Sequence, residues 1–301
     1  YGWDHNVLYI LEDEGKLYAL IEWFFRYPLT AEGSDVFAFP DRGLYHGEKL
    51  RFRRGRDGRA VDVVAAGIVF PRRPDHPGKG PEFRIDPVRP GAELRAEAAK
   101  AHPPKETPPP EGFLPADLVD LKSAAPGVRL DIRYATANNF LGVPVYPEAR
   151  AFLQRPAAAG VRSAQERLTE HGMGLLIHDA YRPWQITKVF WDATPPSMHD
   201  FVADPSRGSR HNRGCAVDLT LCDKASGRPA AMPSGYDEFS ERAYPYFPGG
   251  SARERWNRDL LRHTMEREGF TVYEFEWWHF DYRDWRRYPI GNQPFSAIGA
   301  R

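Results

Sequence analysis

The sequence predicts an α+β protein in which a small antiparallel β domain precedes a larger domain of mixed helices and strands. Three observations carry that expectation. Residues 7 to 70 alternate short β-branched and aromatic runs with glycine-rich and acidic turns, the pattern of an antiparallel meander. Twelve prolines then fall between Pro71 and Pro115, a density that excludes continuous helix or interior strand. From about Phe113 the hydrophobic period switches back and forth between that of strands and that of helices. The limits drawn from these shifts are 1–73 for the β domain, 74–112 for a proline-rich linker and 113–301 for the larger domain.

In the first domain Val7–Leu11 and Leu17–Trp23 flank acidic residues and Gly15, which reads as a hairpin. Val36–Phe39 and Leu50–Arg53 continue the meander, and Gly55–Gly58 turns the chain before Ala60–Ala65. A small open barrel or half-barrel would suit this run. Within the linker, Ala92–Ala101 has the composition of a short helix, and the rest reads as a connection able to pack along a domain surface. In the larger domain Val128–Tyr134 reads as a strand. Pro156–Glu170 sets Val161, Ala164 and Leu168 on one helical face, and Gly172 stops it. Leu175–His178 looks like a buried strand, with a helix starting at Pro183. Cys215–Cys222 alternates as a strand. Arg253–Glu268 spaces Trp256, Leu260, Leu261 and Met265 as a helix does, ahead of Gly269, and Tyr273–Tyr282 is aromatic and β-like.

Composition excludes several function classes. Lysine plus arginine and aspartate plus glutamate both number 41, so nothing points to nucleic acid or to an anionic membrane surface. The longest apolar run, Val63–Phe70, is far too short for a membrane span. Cys215 and Cys222 lie on one strand, where about 3.3 Å per residue holds them some 20 Å apart, so they cannot bridge each other.

The chemistry concentrates in two strings, Ser209–Asp218 and Glu276–His279. They supply His211, Asp218 and His279 as metal ligands and leave Glu276 over. Two imidazoles and one carboxylate, with a fourth position left for water, make up a hydrolytic zinc centre, where the metal lowers the pKa of bound water to about 7. On the strand, Asp218 shares a face with Ala216 and Thr220, and a carboxylate there needs a cation. A metal is one answer and an arginine the other. Residues 276 and 279 face opposite sides of a regular strand, so a bend at Trp277-Trp278 is required for both to reach one site. With that bend, Glu276 can serve as the base; without it, Glu276 and His279 only hydrogen-bond beneath an aromatic cluster. Arg182, at a strand-to-helix junction, is placed to face an oxyanion with Asp179 orienting it, or else is a plain ion pair. His178, in a strand, reads as a satisfied core group.

The spacing Ser-x-His-x-x-Gly-x-Ala-x-Asp, the Glu-x-x-His string and Tyr181-Arg182-Pro183, in this order, resemble the zinc D-alanyl-D-alanine dipeptidases of the VanX type. These belong to a D,D-peptidase group that shares its fold with the Hedgehog signalling domain. Asp131–Gly142 and Tyr236-Asp237-Glu238-Phe239 are similar to the dipeptidase branch, and the resemblance spans roughly residues 113 to 290. It implies a central, mainly antiparallel sheet flanked by helices. It implies one Zn2+ per chain on His211, Asp218 and His279, Glu276 as catalytic base and Arg182 against the tetrahedral intermediate. Ser209 and Asp237 match positions that contact the substrate's free amino end, and Cys215 stands where relatives often carry serine. The implied partner is a small D-amino-acid dipeptide. The long insert Asp223–Arg255 would roof a closed cavity for it.

Two rival functions accompany this reading: a D,D-carboxypeptidase trimming peptidoglycan stems, and a zinc-stabilised binding module without turnover. Tyr18–Glu22 and Gly67–Arg73 resemble the β-rich accessory domain of serine β-lactamase-like hydrolases of bacteria, whose protein partners here are unknown. That appended domain, and a first residue that is tyrosine rather than methionine, favour a periplasmic or secreted protein, with a cytoplasmic one as the alternative.

Overall fold

The computed structural model of the protein describes residues 8–13, 15–21, 25–72 and 83–298. Val7, Glu22 and Trp23 of the expected hairpin, and the start of the linker through residue 82, lie outside them. The chain divides into two compact units, Tyr1–Gly78 with Pro248–Trp256, and Lys79–Phe247 with Asn257–Arg301.

In the first unit β1 (Leu8–Asp13), β2 (Lys16–Ile21) and β3 (Phe25–Pro28) form an antiparallel sheet in sequence order. The chain continues as a five-stranded meander of β4 (Thr30–Ala31), β5 (Val36–Ala38), β6 (Lys49–Arg54), β7 (Ala60–Ala65) and β8 (Ile68–Pro71). Alternation does what the pattern predicts: Leu50 on β6 and Val63 and Ala65 on β7 turn inward to Ala19, Tyr27 and Phe39, while the arginines of β6 stay out. This core is separate from that of the second unit.

In the second unit, α1 (Gly91–Ala98) buries Leu94 and Ala98. The described part of the proline-rich stretch, from Phe83, packs against this unit. The amides of Ile85 and Val88 donate to the carbonyls of Phe140 and Ala193, at 2.9 and 3.0 Å, and the Leu114 amide donates to Arg287 at 2.8 Å. Glu106 pairs with buried Arg213 and accepts from the Ile290 amide at 2.6 Å. Proline removes its own donor but leaves its neighbours free to bond, so the stretch is irregular yet packed.

The remaining elements are β9 (Leu118–Asp120), α2 (Leu121–Ala124), β10 (Arg129–Leu130), β11 (Phe152–Gln154), α3 (Arg155–Glu170), β12 (Met173–Asp179), α4 (Trp184–Ala193), β13 (Ala216–Asp223), α5 (Ala252–Arg267), β14 (Phe270–Tyr273) and β15 (Glu276–Tyr282). The central sheet runs β10-β12-β13-β15-β14; only the β10–β12 pair is parallel, so it is mainly antiparallel as expected. Its apolar face, with Leu175, Ile177, Val217, Leu219 and Phe280, belongs to the core that Val161, Ala164 and Leu168 of α3 enter. Truncating Leu168 to alanine would cost about 2–5 kcal/mol.

Two local expectations need correction. Val128–Tyr134 is strand only at Arg129–Leu130: the Asp131 amide still donates to the Ile177 carbonyl at 2.8 Å, and the chain then closes a local turn at Arg133–Ala135, where the Ala135 and Thr136 amides donate to the Ile132 and Arg133 carbonyls at 3.1 and 3.0 Å. Helix α5 buries Asn257, Leu261, Thr264 and Met265, whereas Trp256 is 53% exposed. The apolar spacing located the helix but rotated its inner face by about one residue. No helix among the described residues is long and apolar enough to cross a membrane.

Candidate active site

Three strands place the acidic and imidazole groups side by side. Across the sheet Asp218 on β13 pairs with Asp179 on β12 and with His279 on β15, so the three side chains are lateral neighbours. Each flanking strand carries an irregularity beside that register. On β12 the pairing skips His178, from Ile177↔Leu219 to Asp179↔Asp218. On β15 it jumps from Val272↔Phe280 to Tyr273↔Glu276, leaving Trp277, Trp278 and His279 outside the regular ladder of β14. The bend required at Trp277-Trp278 is therefore present, with both indoles buried and set edge to face. It brings Glu276 Oε2 to 3.7 Å from His279 Nδ1.

His211 arrives from a single turn, His211–Arg213, that ends on Gly214 at φ 65°. A Cβ there would stand 2.4 Å from Leu118 Cδ2, so both the backbone sign and the space call for glycine. The Ser209 hydroxyl accepts from the His211 amide (3.2 Å) and steadies the turn.

Hydrogen bonds on the far side of each ring settle what the near side can do. His211 Nδ1 faces the Ala180 carbonyl at 2.7 Å and His279 Nε2 faces the Asp281 carboxylate at 2.9 Å. Those acceptors take the ring protons, so in the neutral rings His211 Nε2 and His279 Nδ1 present bare lone pairs to each other, 3.1 Å apart. Asp218 Oδ1 lies 3.3 and 3.1 Å from the same two nitrogens, is buried, and has no hydrogen-bond partner among the described residues. Three facing electron-pair donors repel unless a cation sits among them. A tetrahedral metal with bonds of about 2.0–2.1 Å sets its donors about 3.3 Å apart, which these match. The electrostatics agree. Burial disfavours a charge on His279, yet Asp281 and Asp218 outweigh it and lift the ring up to about 10, so a proton fills the demand for a cation there whenever no metal does. Asp218 is held well below the carboxylate range by both histidines despite its burial. His211, Asp218 and His279 thus form a group able to hold a metal ion.

Around this group stand the other expected residues. Burial pushes the Glu276 carboxyl up to about 7, with Asp218 adding to the effect and His279 and Arg182 opposing it. Arg182 donates from Nε and Nη2 to Asp179 Oδ2 at 2.9 and 2.8 Å, and lies over the rings of Phe190 and Tyr134. Asp179 is itself fixed by the Tyr146 hydroxyl (2.7 Å) and the Ala180 amide (2.9 Å). The arginine's own backbone is tied to the histidine turn, its amide to the His211 carbonyl and its carbonyl to Asn212. Asp237 is buried at φ 58°, an uncommon conformation for a residue other than glycine, and accepts from the Tyr134 hydroxyl at 2.9 Å. Burial, then Asp218 and Glu276, raise its carboxyl well above the usual range, so it favours a cationic visitor.

All seven residues singled out in the sequence, Arg182, Ser209, His211, Asp218, Asp237, Glu276 and His279, line one cavity of about 430 Å³. Of the insert 223–255, Asp237 and Phe239 reach its wall, and much of the remaining lining comes from the preceding segment Phe201–Arg210. Sequence reasoning missed Tyr134, Tyr236 and Asp281. For Asp281 the signal was present, since it lies two residues past His279 on one strand and so shares its face. Cys215 is buried, its thiol pushed far up by burial, and Cys222 is likewise free.

Known proteins resemble the chain over the region that builds this site. The family model described as D-ala-D-ala dipeptidase matches residues 115–297. The chain is 36% identical to the D-alanyl-D-alanine dipeptidase of Escherichia coli (strain K12) over 182 residues, covering 60% of this chain and 93% of that protein. It is 37% identical to the D-alanyl-D-alanine dipeptidase of Enterococcus faecium over 177 residues, covering 52% and 87% respectively. A solved structure of the LdcB LD-carboxypeptidase aligns with 64% of this chain and 76% of its own at 17% identity and a TM-score of 0.33, too loose a likeness to argue from. The match spans the whole central sheet and every residue of the cavity's polar cluster, and the chain belongs to the D-Ala-D-Ala dipeptidase family of metallopeptidases.

Proposed function

We propose that this chain hydrolyses the D-Ala-D-Ala dipeptide with one zinc ion held by His211, Asp218 and His279. The observation that carries the reading is the convergence of three bare donors, an acid poised near neutrality and a buried arginine on one small cavity. A zinc ion there would polarise the scissile carbonyl and acidify a water molecule.

The chain's own groups supply the rest. With its carboxyl raised to about 7, Glu276 is matched to accept a proton from the attacking water and return it to the amine nitrogen as the C–N bond breaks. Arg182, held by Asp179 from below, offers its guanidinium to the carbonyl oxygen as negative charge develops there. Because Asp179 and the ring faces of Tyr134 and Phe190 fix it beforehand, no reorganisation is needed as charge appears. Asp237 is the partner for the free ammonium group. A cation beside it would offset the burial and the like charges that now hold its proton on, and Ser209 lines the same wall. At about 430 Å³ the cavity is near the small end of ligand pockets, in keeping with a dipeptide.

The test is hydrolysis of free D-Ala-D-Ala beside an N-acylated tripeptide ending in D-Ala-D-Ala, with zinc measured on the same sample. Turnover of the dipeptide alone is expected, because acylation removes the charge that Asp237 meets. Preference for the acylated peptide would assign the chain to carboxypeptidases, and no turnover of either at full metal loading would leave a binding module.

A further inference from the structure

One polar contact beside the cavity falls on a metal donor and has no part in the proposed chemistry. The Tyr236 hydroxyl donates to Asp218 Oδ2 at 2.9 Å. The other oxygen of that carboxylate, Oδ1, is buried without a hydrogen bond and lies between the inner nitrogens of His211 and His279. The two oxygens are thus differentiated: one is occupied by a phenol, the other is left for the site.

The phenol is well placed to hold that difference. Its ring stacks on His178 at 4.6 Å and 26°, and meets Trp278 edge-on at 5.5 Å and 72°. Trp278 is one of the two residues at the bend that delivers His279, and His178 is the residue skipped in the β12 register beside Asp218. Tyr236 therefore rests on both irregularities that build the site. A carboxylate with two equivalent oxygens can rotate about its last bond and bind a metal through one oxygen or both. One whose Oδ2 accepts from a fixed hydroxyl cannot turn without breaking a buried hydrogen bond.

We infer that Tyr236 is a positioning residue for the metal: it holds Asp218 so that Oδ1 alone is offered, keeping the ion's remaining position open for substrate and water. This rests on the metal reading of His211, Asp218 and His279 given above. Tyr236→Phe removes the hydroxyl and keeps the ring, so the stacking on His178 and Trp278 survives.

The experiment strips the metal from wild type and Y236F, then titrates Zn2+ against a chromogenic chelator and records the visible spectrum after Co2+ loading. Y236F should bind Zn2+ about 10- to 100-fold more weakly, the usual cost of losing a partner of a metal ligand. Its Co2+ bands should weaken as Asp218 swings to bind through both oxygens. Tyr134→Phe serves as control, since that hydroxyl bonds to Asp237 rather than Asp218, and its Zn2+ affinity should match wild type. Equal affinity and an unchanged Co2+ spectrum in Y236F would overturn the inference while leaving the metal centre standing. Failure of wild type to bind Zn2+ stoichiometrically would overturn the metal reading itself. Should Y236F not fold, X-ray absorption on zinc-loaded wild type decides: one short carboxylate oxygen supports the inference, and two refute it.

Discussion

Replacing Glu276 by glutamine separates the base from the metal donors, because it keeps the side chain's shape and removes only its capacity to accept a proton. The structure sets the expected size. Glu276 Oε2 stands 3.7 Å from His279 Nδ1 and is outside the group of three donors, so zinc content should stay at one per chain. Its carboxyl lies near 7, where a base is about equally able to take and to return a proton. General bases of this kind contribute about 10²- to 10⁴-fold. The placement favours the upper half of that range, so kcat for D-Ala-D-Ala should fall by about 10³-fold or more, equivalent to some 4 kcal/mol or more of barrier. KM should move little, since the ammonium partner and the arginine are untouched. Melting should not suffer either, because the amide replaces a carboxyl whose ionised form burial already disfavours. The assay is a ninhydrin or coupled D-alanine readout on samples of measured zinc content, with Glu276→Ala as a second variant. Retention of more than about a tenth of wild-type kcat would place the proton acceptor elsewhere. Loss of zinc together with activity would show that Glu276 belongs to the ligand set.

Asp179→Ala leaves the buried Arg182 guanidinium and the Tyr146 hydroxyl without their shared acceptor, so it should cost about 3–5 kcal/mol in chemical unfolding; a loss below about 1 kcal/mol would mean that Arg182 finds another partner. Gly214→Ala forces a Cβ into Leu118 at a positive φ, and should both destabilise the fold by about 1–3 kcal/mol and weaken zinc binding through His211; normal metal affinity would detach the turn from the site. The hydrogen bond from His178, then Arg133, hold Asp131 down to about 2 against partial burial. A carboxyl lowered in the folded state stabilises it above its ordinary value near 3.8, and that contribution is lost as pH falls from about 4 to about 2. Because its side chain is 40% exposed, screening limits the effect to about 1 kcal/mol. Urea unfolding of wild type and Asp131→Asn should therefore differ at pH 5 and converge near pH 2, and a gap that persists at pH 2 would assign the effect to packing.

What was legible in the sequence divides along a physical line. Strands such as β7 and helix α3 were readable because propensity, period and burial agree there, and the inner residues are those the period selects. The metal donors were readable for another reason. His211, Asp218 and His279 are costly to bury without a cation, so their types and spacing in apolar surroundings already demanded one. Val128–Tyr134 was misread as strand throughout because its backbone leaves the ladder after Asp131 to close a local turn on itself, a choice that no periodicity records.

The least legible features were those made by contacts across the chain, and they decide how the site is finished. Tyr236 is 18 residues from Asp218, and only the folded insert lays its hydroxyl on that carboxylate. Phe201–Gly208 carries no motif, yet it supplies more of the cavity lining than the insert singled out for that role, of which Asp237 and Phe239 reach it. The β15 bend lies between these extremes. It could be required from the sequence, because Glu276 and His279 otherwise face apart, but its form could not be foreseen. The structure shows that the bend releases Trp277, Trp278 and His279 from pairing with β14 while His279 keeps its register with Asp218 on β13. The ladder is thus broken on the side away from the metal donors and kept on the side that aligns them. A strand that bent on both edges would deliver the histidine without fixing it, and the 3.1 Å approach of His279 Nδ1 to Asp218 Oδ1 depends on that one-sided break.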